Sequence, residues 1–314
     1  PLIWWERIRY DRSIKATKVK APLFIIGHQR SGTTYLHYLL GKDPQFANCT
    51  VKESFMPWIF LSSQGFLRRI LQRALPEKRP MDNLKLGIDR PTEPEYSIGN
   101  MALATMVPGY YFPKRMYGVF KKYVLFQDAN GKVEWQQALK YFLQKLTLRY
   151  NRPVLIKSPE NLGRVKEILE VFPNAKFIHI YRNPYKVYFS TERLYEITIP
   201  MVSFQHCDAS IIQDFVLKSY KDIFRKYFED RDLIPEGNLV EIRYEDLIGN
   251  EMGILQDIYS KLGNTGFETA RPFLQREVDN HVSYRTNKYS QPDDRKKLVY
   301  HEWKEIFERL GYSE

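Results

Sequence analysis

The stretch Pro22-Leu-Phe-Ile-Ile-Gly-His-Gln-Arg-Ser-Gly-Thr-Thr-Tyr-Leu-His-Tyr-Leu-Leu40 reads as a short apolar strand, a glycine-bounded loop and an amphipathic helix in direct succession. That succession builds a phosphate cradle. Gly27 and Gly32 let the backbone turn sharply and come close to an anion, while the free N–H groups at the positive end of the following helix point into the loop. Against the pattern G-x-x-x-x-G-K-[ST], residues 27–34 match at both glycines and at Thr34, but Thr33 occupies the lysine position. The cation stands instead at Arg30. A kinase or nucleotide hydrolase needs that lysine for the terminal phosphates and an acidic residue for Mg²⁺, so the shift disfavours both and points to another phosphate-bearing ligand. For the glycines alone, an ordinary tight strand-to-helix turn is the alternative.

A second segment, Asn174-Ala-Lys-Phe-Ile-His-Ile-Tyr-Arg-Asn-Pro-Tyr-Lys-Val-Tyr-Phe-Ser190, repeats the strand-to-helix plan. Phe177–Tyr181 reads as a buried parallel strand, Asn183-Pro184 as the break, and Tyr185 onward as a helix with Pro184 near its first turn. Arg182 then sits at a strand's carboxyl end. Ser190 lies about two helical turns further on, where its hydroxyl can turn back towards the same anion. Between the two segments, Pro153-Val-Leu-Ile-Lys-Ser-Pro-Glu-Asn-Leu162 is another buried-looking strand, ending in Lys157 and a turn. Open α/β sheets bind ligands outside the carboxyl ends of their strands, so Arg30, Lys157 and Arg182 converge there on a polyanion.

Arg30-Ser-Gly-Thr-Thr34 resembles the 5′-phosphosulfate loop of sulfotransferases, which use 3′-phosphoadenosine 5′-phosphosulfate (PAPS) and release 3′-phosphoadenosine 5′-phosphate (PAP). The arrangement R-N-P-x-x-V-x-x-S from Arg182 to Ser190 resembles their 3′-phosphate site. Lys157-Ser-Pro159 and the helix after it, with Leu162, Val165, Ile168, Leu169 and Phe172 at helical spacing, resemble the broad bacterial sulfotransferase family, related to tyrosylprotein and lipid or steroid sulfotransferases. Cytosolic small-molecule sulfotransferases carry Lys-Thr-His at that turn, with the histidine as base; here Pro159 takes its place.

The resemblance implies a role for each residue. Gly27, Arg30, Ser31, Gly32, Thr33 and Thr34 would hold the 5′-phosphosulfate, with Arg30 and Lys157 acting on the leaving group and no metal required. Arg182 and Ser190 would hold the 3′-phosphate, Tyr244 in Val240-Glu-Ile-Arg-Tyr-Glu-Asp-Leu247 would approach the adenine, and Arg285 or Lys288 in the polar loop 281–289 would add to the clamp. Glu53, in Thr50-Val-Lys-Glu-Ser-Phe-Met-Pro57, is the expected base, because the chain returns there from the phosphate-loop helix and tyrosylprotein sulfotransferases carry an acidic residue at a similar distance. Glu160 is the second choice, and Glu93 and Glu95 are expected to line the acceptor pocket. Among the histidines, His28 lies in the loop, His37 on the next helix, and His179 in a strand where a core role fits best.

The 314 residues, 43% of them apolar, suffice for one α/β domain spanning 1–314, with a P-loop-like, mostly parallel sheet flanked by helices. Residues 55–150 read as a helical acceptor-site insertion between the first and second apolar strands, interrupted by prolines such as Pro76, Pro80, Pro91 and Pro94, and residues 271–314 as a C-terminal lid or tail. Met and aromatic residues in Phe55–Leu61 and Met101–Phe112 suit a lipid or sterol-like alcohol. The net charge of +11 fits an anionic cofactor or an anionic membrane surface, and no nucleic-acid-binding motif accompanies it. Leu2-Ile-Trp-Trp-Glu-Arg7 reads as a packing arm or the remnant of an upstream anchor. Cys49 and Cys207 are too few for a metal site or disulfide framework, so a reducing, cytoplasmic setting is the default, with the lumenal domain of an anchored enzyme as the alternative. The acceptor and the oligomeric state are not written in these motifs.

Overall fold

The computed structural model describes residues 2–63, 87–281 and 291–314. Five parallel strands form one sheet: β1 (Leu23–Ile26), β2 (Ala47–Asn48), β3 (Val154–Lys157), β4 (Lys176–Tyr181) and β5 (Leu239–Arg243), in the order β2-β3-β1-β4-β5. The four longer strands coincide with the apolar runs of the sequence. The two-residue edge strand β2 does not, because so short an element carries no periodicity to read. It precedes the helical region, which therefore connects β2 to β3.

Side-chain alternation divides the core between the two faces of the sheet. Phe24, Ile26, Val154, Ile156 and Phe177 turn to one face, where they join Trp135, Phe142 and Leu146 of the long helix Ala129–Tyr150. Leu23, Ile25, Leu155, Ile178 and Ile180 turn to the other, against Leu36, Leu39 and Leu40 of the helix Thr33–Leu40. Burial on both faces explains why the strands read as unbroken apolar runs. Among the described residues no helix is long and apolar enough to cross a membrane.

Local chemistry sets the element ends that matter for the site. Asn183 accepts the Lys186 N–H at 3.2 Å and Pro184 occupies the first turn, so the helix Pro184–Val202 starts directly after Arg182. The N-terminal helix Leu2–Ala16 is held by the buried Glu6, which pairs with Lys145 and accepts the Ser62 N–H at 2.8 Å, while Trp4 and Trp5 remain exposed. Cys49 and Cys207 are both free. Arg295 bonds Tyr188 at 2.7 Å and pairs with Glu192.

Candidate active site

The loops leaving β1, β3 and β4 emerge side by side, and each carries a cation. Ile25 pairs with Lys157 and Ile26 with His179, so the loop after β1 rises between the other two. Arg30 holds φ at +70°, a left-handed backbone that a non-glycine residue keeps only where its surroundings enforce it. Its Nε donates to Ser190 Oγ at 2.8 Å, and Arg182 Nη1 donates to the Arg30 carbonyl at 3.3 Å. Two motifs 160 residues apart are thus joined by hydrogen bonds. Lys157 Nζ donates to Thr34 Oγ1 at 3.3 Å and pairs with Glu93.

The glycines are required by close approach. A Cβ on Gly27 would fall 2.2 Å from the Ile180 carbonyl oxygen, and one on Gly32, where φ is +96°, would fall 2.3 Å from the Tyr244 ring. Ser31 is buried and its N–H bonds the His28 carbonyl at 3.2 Å; Thr33, also buried, opens the helix. The Arg182 guanidinium lies 4.3 Å from the centre of the Tyr244 ring, so Tyr244 backs both the loop and the cation. Arg182 Nε is buried and has no hydrogen-bond partner among the described residues. An unmade buried N–H bond costs about 1–3 kcal/mol, so this donor suits an incoming anion. Arg285 and Lys288 lie outside the described residues.

Glu53 does not stand over the cradle. Its fully buried carboxylate accepts the Thr50 N–H at 2.8 Å, the Thr50 hydroxyl, and the Tyr150 hydroxyl at 2.6 Å, with Arg149 Nε at 3.6 Å. Thr50 and Glu53 form a capping box on the short helix Val51–Phe55. Glu53 thus serves a helix start: the geometry shows it bonded to Thr50 within its own turn and to Tyr150 beyond it.

Three other carboxylates line a cavity near the loop. A cavity of about 350 Å³ opens beside the phosphate loop, with Gln29, Arg30, Thr33 and Thr34 on one side and Glu93, Glu95 and Glu160 in its wall. Glu53 is not among its lining residues. Glu95 is neutralised by Arg164, which bonds it twice at 2.7 and 3.0 Å. Glu160 accepts the Ser158 hydroxyl at 2.7 Å, and burial, then the neighbouring Glu95 and Glu93 carboxylates, push its pKa up to about 7. The folded state thus holds this proton over a range where the unfolded chain has lost it. Stability should fall as pH rises from about 4.5 to about 7, and urea titrations across that range should show a shallower fall in Glu160→Gln. An unchanged slope would mean that water reaches the carboxylate.

The rest of the cavity is apolar and aromatic. Val107, Tyr110 and Tyr111 come from the Met101–Phe112 stretch expected to supply them, whereas Phe55 is exposed and Trp58 packs near the N-terminal helix under Arg7. The opposite wall consists of Leu194, Tyr195, Thr198 and Ile199, later turns of the helix that carries Ser190. Sequence reasoning missed these, although Ser190, Leu194 and Thr198 repeat every four residues and so share a face. His28 sits beneath the loop; burial pulls its pKa down to about 4, and its neutral ring donates to the Gln29 carbonyl at 2.9 Å. His37 is likewise buried and neutral. His179 bonds Glu241 at 3.0 Å inside the core, as its strand position implied.

The sequence profile of the sulfotransferase family matches residues 22–268, from the start of β1 to beyond β5. The chain belongs to the sulfotransferase family. Its relatives include omega-hydroxy-beta-dihydromenaquinone-9 sulfotransferase Stf3 of Mycobacterium bovis and of Mycobacterium tuberculosis. Each is 35% identical over 311 residues, covering 98% of this chain and 80% of the relative. Among solved structures, sulfotransferase STF9 from Mycobacterium avium matches with a TM-score of 0.83 at 18% identity, over 99% of this chain and 82% of that one. Sulfotransferase STF1 from Mycobacterium tuberculosis matches with a TM-score of 0.75 at 18% identity, over 96% and 81%. These two likenesses establish the α/β sulfotransferase fold. Within it, the enzyme's loop Gly27–Thr34 follows the central strand β1, and the cavity lies at the same edge.

Proposed function

We propose that this sulfotransferase transfers the sulfuryl group of PAPS to the hydroxyl of an apolar, lipid-class alcohol. The observation that carries the reading is the cavity itself, where Arg30, Thr33 and Thr34 meet an aromatic and aliphatic wall. The related Stf3 enzymes, whose name specifies a hydroxylated menaquinone, support the acceptor class. The donor supplies an activated sulfuryl group on a phosphate leaving group. Arg30 and the N–H groups of the loop neutralise the 5′ end, and Arg182, whose Nε has no partner among the described residues, neutralises the 3′-phosphate together with Ser190. Lys157 approaches the leaving oxygen from Thr34. When it turns to the donor, Glu93 is released from its ion pair beside the cavity and takes the acceptor proton.

A thermal-shift titration with PAP tests the donor half. A ligand that binds only the folded state at a hundred times its dissociation constant stabilises it by about 2.7 kcal/mol, so melting should move up by several degrees. ATP should do less. Arg182→Ala should weaken PAP binding by about 1.5–3 kcal/mol and erase the preference for PAPS over adenosine 5′-phosphosulfate. A shift with ATP but none with PAP would sink the donor assignment, and an unchanged preference in Arg182→Ala would return Arg182 to a structural role. A screen of long-chain and isoprenoid alcohols with labelled PAPS tests the acceptor half.

A further inference from the structure

The mouth of the acceptor cavity carries a collar of exposed apolar side chains. Tyr96, Tyr111, Met201 and Val202 line the cavity and are also exposed, Met201 by 61% of its surface. Phe204, 76% exposed, extends the collar. Its N–H bonds the Tyr111 carbonyl at 2.9 Å, and its ring lies 5.7 Å from that of Tyr111 and 5.9 Å from that of the exposed Phe112. Two separate chain segments, 111–112 and 201–204, are thus pinned together with their aromatic and thioether groups turned to solvent. Scattered exposed apolar residues need no explanation, but a contiguous set around the opening of a binding cavity marks a contact surface.

Charge says what the contact is. Immediately after Phe112, the turn Pro113–Arg115 presents Lys114 and Arg115, both exposed, on a chain whose net charge is +11. Aromatic rings flanked by cations suit the boundary of a bilayer, where rings settle among the headgroups and lysine and arginine meet anionic lipids. We infer that the collar Tyr96, Tyr111, Phe112, Met201, Val202 and Phe204 seats the enzyme on an anionic lipid surface, cavity mouth down, so that a membrane-dissolved alcohol enters without crossing water. The delivery role rests on the reading of the cavity as an acceptor site; the docking itself does not.

The experiment separates the two. Purified protein is sedimented with vesicles of phosphatidylcholine alone and with vesicles containing roughly a third phosphatidylglycerol. Binding should be clear only with the anionic vesicles, each cation contributing about fivefold at moderate salt. Lys114→Gln/Arg115→Gln should weaken it about 25-fold, and Phe112→Ser/Phe204→Ser on the order of tenfold or more, with melting temperature and PAP binding unchanged in both. Activity gives the second arm. Phe112→Ser/Phe204→Ser should sulfate a detergent-dispersed alcohol at the native rate and the same alcohol in anionic vesicles several-fold more slowly. Absence of vesicle binding, or binding that ignores both double variants, would overturn docking. So would a dimer in analytical ultracentrifugation that the phenylalanine variant abolishes, because the collar would then be a protein interface. If docking holds while no alcohol in any medium is sulfated, the acceptor reading fails alone.

Discussion

Replacing Glu93 by glutamine should lower turnover by about 10²–10⁴ while leaving PAP binding intact or slightly tighter, since the change removes a proton acceptor and frees a lysine at once. The direction of the binding effect follows from the ground state. Glu93 pairs with Lys157, which also touches Thr34, so the carboxylate competes with the donor for that ammonium group. Single-turnover rates with saturating PAPS, set beside PAP affinities, separate the two effects. Glu53→Gln should instead cost stability, because the amide can no longer accept from Thr50 and Tyr150 together as the carboxylate does. Near-native turnover in Glu93→Gln, with a large loss in Glu160→Gln, would move the base to the carboxylate that already titrates near neutrality.

Arg164→Met should destabilise the fold by about 3–5 kcal/mol, the usual consequence of removing one partner from a buried ion pair. Arg164 is fully buried and lies 4.7 Å from the Trp135 ring, with a further bond of 2.9 Å to the Tyr123 carbonyl. Without it, the Glu95 carboxylate keeps its charge in a wall that already holds Glu93 and Glu160. The double change Glu95→Gln/Arg164→Met should recover most of the loss, which urea unfolding at pH 7 would read directly. A loss below about 1 kcal/mol in the single variant would show that the cavity hydrates Glu95 and that the pair serves geometry more than stability.

The sheet was legible because its central strands are buried on both faces, and Leu23–Ile26, Val154–Lys157 and Phe177–Ile180 carry that burial as plain apolar runs. The tight loop Gly27–Gly32 was legible because its backbone needs, a glycine at each end, are local. The helix-start role of Glu53 was not legible, for a physical reason. A carboxylate three residues after a threonine satisfies a helix start by purely local bonds, and no one-dimensional pattern distinguishes that from a base reached through space. The pairings Glu93–Lys157 and Arg30–Ser190 join residues 64 and 160 positions apart, so only the packed sheet reveals them. The cavity's far wall had a local signal in the four-residue repeat from Ser190 to Thr198, hidden because the same helix also buries Val187, Tyr188 and Phe189 in the core.

The helix Pro184–Val202 has a division of labour along its length. Its first two turns are tethered to Arg30 and to the end of β4, whereas its last turns line the cavity, with Tyr195 also accepting a hydrogen bond from Gln29. If the cavity takes the acceptor as proposed, variation at Leu194, Thr198, Ile199 and Val202 would reshape which alcohol fits while the loop Gly27–Thr34 stays fixed. A lineage of such enzymes would diversify its acceptors by exchanging a few aliphatic groups on one stretch of helix, with the strand ends and their loops left untouched.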